Sequence, residues 1–300
     1  MTDKPIFQHP LAYLLGLHGA ALMRGFAGDF DRSFTLARLD EVRQLLAVAE
    51  ELGDGEVIRP LTTPEAYGSW AVRYDGPDNP FFGMDEAVLL PILDSLEAGV
   101  AVDNACGTGR YSQHLAERGH EVHGFDTSPD MLAIAGAKLP EGHFEEADAA
   151  DVPVDDNTAD VMVIALALAH IERLAPAFRE AARVLKPGGH LLISDVLAYF
   201  TPARGNPILE FDADGNTSYV PGWSHRTADY LRAALDVGFD RRDVREIERD
   251  KLGQIDQDPL PPRPGDPPSI WDLQPWAKTS ALVVTDDLPC LITWHFQLGE

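Results

Sequence analysis

Apolar and polar positions follow two different rhythms through the middle of the chain, between about residue 85 and residue 195. Short apolar runs predict buried strands, and they lie at Val100–Val102, Val122–Phe125, Val161–Leu168 and Leu191–Ser194. Apolar residues spaced three and four apart predict helices between these strands, at Arg110–Arg118, Pro129–Lys138 and Leu174–Leu185. Strands that alternate with helices are typical of right-handed crossovers and a mostly parallel, doubly wound α/β sheet. Such a sheet binds ligands at the carboxyl ends of its strands.

In the first 73 residues, apolar positions recur only at the spacing typical of helices. Apolar residues recur at helical spacing from Leu11 to Phe26 and again from Phe34 to Leu52, where Gly53 follows as a stop signal. We expect residues 1–73 to form a helical extension. It either packs on the main domain or on another subunit, or it serves as a lid over the active site.

The alternation of strands and helices stops after Asp195. Two strand candidates, Pro207–Phe211 and Thr217–Val220, flank a turn in which Gly215 tolerates a positive φ. Residues 197–225 are therefore predicted to form a hairpin cap inserted into the main domain. Its aromatic residues either line a substrate pocket or only stabilise a small hairpin; they are Tyr199, Phe200, Phe211, Tyr219 and Trp223.

Residues 226–300 are expected to complete the core sheet. The pattern predicts a helix at Thr227–Val237 and strands at Val244–Ile247 and Leu291–Phe296, with a helix-like stretch at about 271–284. Six prolines fall within residues 259–268. Proline is incompatible with a helix interior or a central strand, so this segment is predicted to be an extended surface loop.

Composition narrows the class of function. The chain carries 24 Lys and Arg against 49 Asp and Glu, a formal net charge of −25. A strongly acidic surface repels phosphate groups, which argues against nucleic acid and anionic membrane as partners. The two cysteines, Cys106 and Cys290, form no ligand cluster, so no metal site is predicted. No apolar run is long enough for a membrane span, and we expect a soluble, cytoplasmic protein that acts on a small molecule.

A glycine-rich turn follows the first core strand. Gly107 and Gly109 stand between strand and helix, where glycine lets the backbone turn sharply and approach a ligand. The dinucleotide pattern G-x-G-x-x-G is incomplete, because Ser112 occupies its last position. Asp126 ends the next strand, 19 positions after Gly107, where a carboxylate can bind the hydroxyls of a ribose. By itself this pattern indicates only an adenosine-type cofactor.

Further motifs follow in order. Asp103 precedes the glycines, and Asp148 ends the stretch Phe-Glu-Glu-Ala-Asp. The runs Asp-Val-Met-Val-Ile-Ala-Leu from Asp160 and Arg-Val-Leu-Lys-Pro-Gly-Gly-His-Leu-Leu-Ile-Ser from Arg183 come next. This region, about 74–195, resembles the class I S-adenosylmethionine-dependent methyltransferases, and most of all the small-molecule enzymes with a D-x-A-C-G-T-G motif. The resemblance implies a Rossmann-like sheet, mostly parallel with an antiparallel last strand, in a core domain at residues 74–196. It also implies S-adenosyl-L-methionine as cofactor.

The resemblance carries cofactor contacts over to particular positions. Those expected near the methionyl part of the cofactor are Tyr74, Asp103, Ala105, Gly107, Gly109 and Leu166. Those expected near its ribose and adenine are Asp126, Thr127, Met131, Asp148 and Ala149. Ala105 stands where many relatives have the first glycine of the motif. Other common members of the family also have alanine at this position.

The expected reaction is an in-line attack of a substrate atom on the sulfonium methyl group. A base is needed only when the attacking atom is a hydroxyl or a protonated amine. Three side chains near the ends of the fourth and fifth core strands, or after the hairpin, are candidates: His170, Asp195 and His225. Each has a structural alternative, such as capping a helix or bracing the hairpin.

The leading hypothesis is methyl transfer to an O or N atom of a small molecule, for example in natural-product tailoring. An NAD-dependent oxidoreductase is a rival, although no Tyr-x-x-x-Lys pair is present. A protein that binds S-adenosylmethionine on the same fold without methylating anything is another. The N-terminal helices leave a homodimer open.

Overall fold

The computed structural model describes residues 4–72, 74–76, 81–197, 208–211, 214–248, 270–285 and 288–300. Contacts divide the chain into two units. The first unit combines residues 1–61, 199–221 and 248–288, and the second combines residues 62–198, 222–247 and 289–300. The predicted Pro-rich loop at 259–268 and the aromatic pair Tyr199 and Phe200 lie outside the described residues.

Strands and helices follow one another along the chain within the described ranges. The strands are β1 (Ile6–Gln8), β2 (Glu56–Pro60), β3 (Val100–Asn104), β4 (Glu121–Asp126), β5 (His143–Glu146), β6 (Ala159–Ala165), β7 (Leu185–Val196), β8 (Ile208–Phe211), β9 (Thr217–Val220), β10 (Phe239–Glu248) and β11 (Pro289–Leu298). The helices are α1 (Pro10–Ala27), α2 (Arg32–Ala47), α3 (Thr63–Trp70), α4 (Phe82–Leu93), α5 (Arg110–Glu117), α6 (Pro129–Lys138), α7 (Leu174–Val184), α8 (Thr227–Leu235), α9 (Ile270–Leu273) and α10 (Lys278–Thr285). None of the helices in these ranges is both long and apolar enough to cross a membrane.

The first unit packs helices from both ends of the sequence around one apolar cluster. Leu14 and Leu17 of α1 and Ala281 of α10 are buried in it, together with Leu45 of α2. Helix α1 begins at Pro10 and ends before Gly28, which adopts the left-handed conformation at φ 100°. Residues 270–285 therefore belong with the N-terminal helices, whereas the sequence pattern suggested that they continue the core domain.

A four-stranded sheet with the order β1-β2-β9-β8 completes the first unit. The predicted hairpin is present, with β8 antiparallel to β9 and Gly215 at φ 80° in its turn. Strand β9 also pairs in parallel with β2, Arg59 opposite Ser218. A lone hairpin is marginally stable and leaves edges unpaired, so this pairing stabilises it. Strands β1 and β2 were not predicted, because three to five residues carry too little periodicity.

The second unit contains a seven-stranded sheet with the order β10-β11-β7-β6-β3-β4-β5. Neighbours from β7 to β5 are parallel, and β11 runs antiparallel to β7. This arrangement confirms the predicted fold class. The central strand β6 is apolar almost throughout because both of its faces are buried, one against Phe178 of α7 and the other in a cluster with Leu89 of α4.

Element boundaries in the second unit follow the sequence pattern closely. Helix α6 has the predicted bounds, and α5 and α7 each end one residue earlier than predicted. The Lys-Pro-Gly-Gly run after Leu185 lies within β7. Leu185 already pairs with Ala159, and the register then shifts, so that the two glycines form an irregularity inside the strand.

Candidate active site

A turn of residues 105–109, called here the glycine turn, connects β3 to α5. Ala105, Gly107 and Gly109 all have positive φ, at 60°, 54° and 77°. A Cβ atom on Gly109 would lie 3.0 Å from the Cβ of Ala135 on α6, so only glycine permits this close approach. Ala105 adopts the left-handed region with an L side chain, which is strained. The chain thus folds tightly at the carboxyl end of β3, at the position where such sheets bind ligands.

Two aspartates hold the glycine turn in shape. The Oδ2 atom of Asp103 accepts hydrogen bonds from the backbone N (2.8 Å) and Oγ (2.7 Å) of Ser112, and burial raises its pKa to about 6. Asp126, at the end of β4, accepts the backbone N–H groups of Gly107 (2.8 Å) and Ser128 (2.9 Å). Burial raises the pKa of Asp126 as well. Asp126 therefore stands at the turn, while Asp103 supports it from inside.

Tyr74 lies over the glycine turn. Its Cε1 atom is 3.8 Å from the position that a Cβ atom on Gly107 would take, and its ring centroid is 5.3 Å from that of Phe82. The neighbouring Asp75 accepts hydrogen bonds from Thr108 Oγ1 (2.7 Å) and Lys138 Nζ (2.6 Å), which ties this segment to the turn and to α6. Burial raises the pKa of Tyr74 to about 12, so its hydroxyl is neutral and can donate a hydrogen bond.

The residues predicted to bind adenine and ribose lie beyond Asp126 along the same edge. Met131 is buried at the start of α6, whereas Thr127 is exposed. Asp148 is exposed after β5, and its Oδ1 atom accepts the backbone N–H of Ala150 (2.8 Å). The buried carbonyl of Ala149 accepts a hydrogen bond from Asn104 Nδ2 (3.0 Å), which fixes this segment to the end of β3.

A buried ion pair joins the glycine turn to the rest of the sheet. Arg110, the first residue of α5, donates to both carboxylate oxygens of Asp85 at 2.9 Å and to Glu86 at 2.8 Å. Asp85 is fully buried and also accepts the Oγ hydroxyl of Ser194 on β7 at 2.7 Å. A two-bond guanidinium–carboxylate pair has a fixed geometry, so α4, α5 and β7 are held in one arrangement.

Residues 166–171, called here the His170 loop, follow strand β6. Leu166 has a positive φ of 57°, and its backbone N donates to the carbonyl of Ser194 at 2.8 Å. Residues Leu168–His170 form a single 3-10 turn. The Nε2 atom of His170 is 2.8 Å from the hydroxyl oxygen of Tyr67 on α3. Because β6 and β3 are neighbours, the His170 loop and the glycine turn share one edge of the sheet.

Asp195 and His225 form hydrogen bonds with backbone groups of the His170 loop. Asp195 is fully buried; its Oδ1 atom accepts the backbone N–H groups of Ala169 (3.1 Å) and Val196 (2.9 Å), and its Oδ2 atom accepts the hydroxyl of Tyr230. Burial raises the pKa of Asp195 to about 6.

The Nε2 atom of His225 donates to the carbonyl oxygens of Leu168 (3.1 Å) and Ile171 (2.8 Å). Its ring is packed edge-on against that of Tyr230, with centroids 5.8 Å apart. His225 and Asp195 together thus make hydrogen bonds to both ends of the 3-10 turn that carries His170.

The structure brings most of the predicted residues to one edge of the sheet, and it adds four that sequence reasoning missed: Tyr67, Asp75, Asn104 and Tyr230. No motif spacing marks them. The helix of Tyr67 is indicated only by a capping box, in which Thr62 and Glu65 bond to each other's backbone N–H groups. Within the described ranges, no group of three or more His, Cys, Asp or Glu side chains could hold a metal ion.

Comparison with known proteins finds a family to which this part of the chain is similar. The methyltransferase domain family matches residues 102–193. The demethylmenaquinone methyltransferase of Chlorobaculum tepidum is 42% identical over 89 residues, which cover 29% of this chain and 37% of that protein. The malonyl-(acyl-carrier protein) O-methyltransferase of Serratia marcescens is 30% identical over 128 residues, which cover 42% of this chain and 50% of that protein. The matched region thus spans half or less of these relatives.

Similarity in three dimensions extends further along the chain. A crystal structure of an S-adenosylmethionine-dependent methyltransferase from Mesorhizobium loti matches with a TM-score of 0.51 and 23% sequence identity. The match covers 72% of this chain and 99% of that chain. At this level of identity the similarity establishes a shared fold.

Proposed function

We propose that this chain, whose residues 102–193 match the methyltransferase domain family, transfers a methyl group to an O or N atom of a small molecule. S-adenosyl-L-methionine is the cofactor of this domain class, as the sequence motifs implied. The cofactor supplies a sulfonium methyl group that is already activated toward nucleophiles. The residues of the chain then have to bind both reactants, align them and exclude water.

One observation carries the proposal: Tyr74, the glycine turn and Asp126 converge at the carboxyl ends of β3 and β4. Asp126 offers carboxylate oxygens to the vicinal hydroxyls of a ribose, next to a backbone that glycine keeps open. Tyr74 and Leu166 flank the expected methionyl side, and Met131 with Asp148 and Ala149 flank the expected adenine side. These cofactor contacts remain our assignments.

Among the three candidate catalytic side chains, His170 is the one we propose to act on protons. Its Nε2 atom lies within hydrogen-bond distance of a hydroxyl group, that of Tyr67. The bonds of Asp195 and His225 to backbone groups of the His170 loop suit a positioning role for both. The O-methyltransferase named among the relatives is consistent with an oxygen acceptor.

The net charge of −25 supports a small-molecule acceptor over a nucleic acid. A homodimer, a cytoplasmic location and the role of residues 197–225 as a cap over the acceptor stay predictions. Natural-product tailoring is likewise a prediction about the acceptor.

The test is a calorimetric titration with S-adenosylhomocysteine, with NAD as a parallel ligand. We expect micromolar binding of S-adenosylhomocysteine by the wild-type chain. In Asp126→Ala the affinity should fall by about 10- to 100-fold, since hydrogen bonds to a charged group contribute about 1.5–3 kcal/mol. Thermal unfolding of each variant shows whether the fold is retained.

The matched control is Asp155→Ala, which removes an exposed carboxylate of the same unit and should leave binding unchanged. Binding of NAD alone would favour an oxidoreductase and contradict the proposal. Tight binding of S-adenosylhomocysteine without turnover on any acceptor would favour a protein that binds the cofactor without transferring its methyl group.

A further inference from the structure

Tyr67 makes a contact that the cofactor site does not explain. It lies in the last turn of α3, and its hydroxyl oxygen is 2.8 Å from Nε2 of His170. The sequence separation of the two residues is 103 positions, so the pair is made by the tertiary structure alone. The ring of Tyr67 also packs edge-on against the rings of Trp70 and Tyr74, with centroid distances of 5.2 Å and 5.8 Å.

The surroundings of Tyr67 keep its hydroxyl protonated. Burial raises the pKa of its hydroxyl well above the ordinary value, and the nearby Tyr74, Asp126 and Asp195 raise it further. Tyr67 therefore keeps its proton, and when Nε2 of His170 carries no proton, the Tyr67 hydroxyl donates to it. A neutral imidazole that accepts at Nε2 carries its own proton on Nδ1. The oxygen of Tyr67 has a remaining lone pair, and it can accept a hydrogen bond from another molecule.

The pair stands close to the expected methyl donor. The ring of Tyr74 lies between Tyr67 and the glycine turn and contacts both. His170 follows β6, which is the neighbour of β3 in the sheet. Ligands of such sheets sit across neighbouring strand ends, where the order of strands reverses. An acceptor bound beside the methionyl end of the cofactor would then lie near the pair of Tyr67 and His170.

We propose that the acceptor is a neutral hydroxyl compound whose O–H group donates to Tyr67, and that Tyr67 and His170 together take up its proton. This rests on the proposed function. As the acceptor oxygen attacks the methyl carbon, the carbon–sulfur bond breaks and its electrons remain on sulfur as S-adenosylhomocysteine. The acceptor's proton moves to the oxygen of Tyr67, and the proton of Tyr67 moves to Nε2 of His170. The products are the methyl ether and an imidazolium ion, so atoms and charge balance.

The surrounding groups favour a neutral hydroxyl over an ammonium ion. The two carboxylates that act on Tyr67, Asp126 and Asp195, already accept backbone or tyrosine hydrogen bonds, and Asp195 is fully buried. The rings of Trp70 and Tyr74 pack against Tyr67, and aromatic surroundings of this kind suit a flat apolar compound with one polar group.

The first test needs no acceptor. The protein labelled with 15N-histidine and saturated with S-adenosylhomocysteine should show His170 as the Nδ1–H tautomer, with Nε2 as a hydrogen-bond acceptor. In Tyr67→Phe the signal of His170 should move toward the Nε2–H tautomer, which free imidazole side chains prefer. An Nε2–H tautomer in the wild-type complex would overturn the proposed direction of transfer.

The second test compares two probe acceptors, phenol and 4-nitrophenol, at mildly alkaline pH. Tyr67→Phe should lower the turnover of phenol by about 100-fold or more, as expected for loss of acid–base assistance. The same variant should lose less than about 10-fold with 4-nitrophenol, which is already ionised and needs no base. The KM for S-adenosylmethionine should stay unchanged. Tyr13→Phe is the matched control, since its hydroxyl lies in the first unit and accepts a hydrogen bond from Gln274, and its turnover should equal that of the wild type.

Three other results would contradict different parts of the proposal. Equal losses with both probes would show that Tyr67 only supports the structure, and no methylation of either probe by a chain that binds S-adenosylhomocysteine would overturn the hydroxyl acceptor. A wild-type chain that fails to bind S-adenosylhomocysteine would refute the proposed function itself.

Discussion

The glycine turn and the His170 loop end neighbouring strands of one sheet, yet they are held in different ways. The glycine turn is fixed by its own backbone and by carboxylates on the two adjoining strands, Asp103 and Asp126. The His170 loop is fixed by Asp195, His225 and Tyr67, which come from distant parts of the sequence.

The difference matches the two tasks that the proposed reaction sets. A cofactor common to many enzymes can be bound by a short segment of fixed shape, in which the backbone does most of the binding. An acceptor differs from enzyme to enzyme, and its site is built from side chains that individual substitutions can change. The comparison predicts that changes near the glycine turn affect cofactor affinity, and that changes near the His170 loop affect turnover.

The largest expected effect falls on Asp85, which binds Arg110 after the glycine turn and Ser194 on β7. Asp85→Ala leaves Arg110 without its buried partner and removes the acceptor of Ser194, so we expect the free energy of unfolding to drop by about 3–5 kcal/mol. Glu86→Ala removes the more exposed partner of the same arginine, and should lower it by less than about 1 kcal/mol. Urea unfolding of both variants measures the two values. Equal losses would show that the buried pair does not join the two regions.

A smaller effect concerns pH. The folded-state pKa of Asp103 and of Asp195 is raised to about 6 by burial, above the ordinary value of 3.8. The folded state therefore binds these protons more tightly than the unfolded state, and both groups add stability as the pH falls from 7 toward 4. Asp103→Asn and Asp195→Asn should each remove about 1 kcal/mol of that gain between about pH 7 and pH 5.

Unfolding measured at several pH values tests this prediction, with Asp155→Asn as the exposed control. Histidines whose pKa is lowered by burial, such as His295 at about 4, act in the opposite direction. They do so equally in the wild type and the variants, so they cancel in the difference. Variants that keep the full pH response of the wild type would show that the two aspartates are solvated, which contradicts their burial.

The smallest expected effect is on stability and comes from replacing Ala105 or Leu166, the two site residues other than glycine that have positive φ. Ala105→Gly relieves backbone strain but adds freedom to the unfolded chain, so its free energy of unfolding should change by less than about 0.5 kcal/mol. Leu166→Gly relieves the same strain and also removes a half-buried apolar side chain, so it should destabilise by about 1 kcal/mol. Differential scanning calorimetry can resolve the two. A strongly destabilising Ala105→Gly would mean that the alanine methyl group packs in the turn.

Local pattern predicted the core elements well and the first unit poorly. Strands such as β6 and helices such as α6 have a strong rhythm over several residues, which depends only on burial of one or both faces. Strands β1 and β2 are short and half-exposed, and they exist because β9 offers an edge to pair with. Residues 270–285 have a helical pattern whichever apolar surface they cover, so their packing against α1 could not be predicted.

The sequence by itself determined the sheet and the glycine turn and indicated the similarity of residues 102–193 to methyltransferase domains, because each depends on residues close together in the chain. Glycines at 107 and 109 and an aspartate at the end of the next strand require no knowledge of distant segments. The tertiary structure decided what surrounds His170. Tyr67, Asp195 and His225 meet the loop only after the helices and strands have packed, since the hydrogen bonds that join them span 26 to 103 positions. A pairing over such separations leaves no periodicity in the sequence, and only the folded chain shows which side chains share a site.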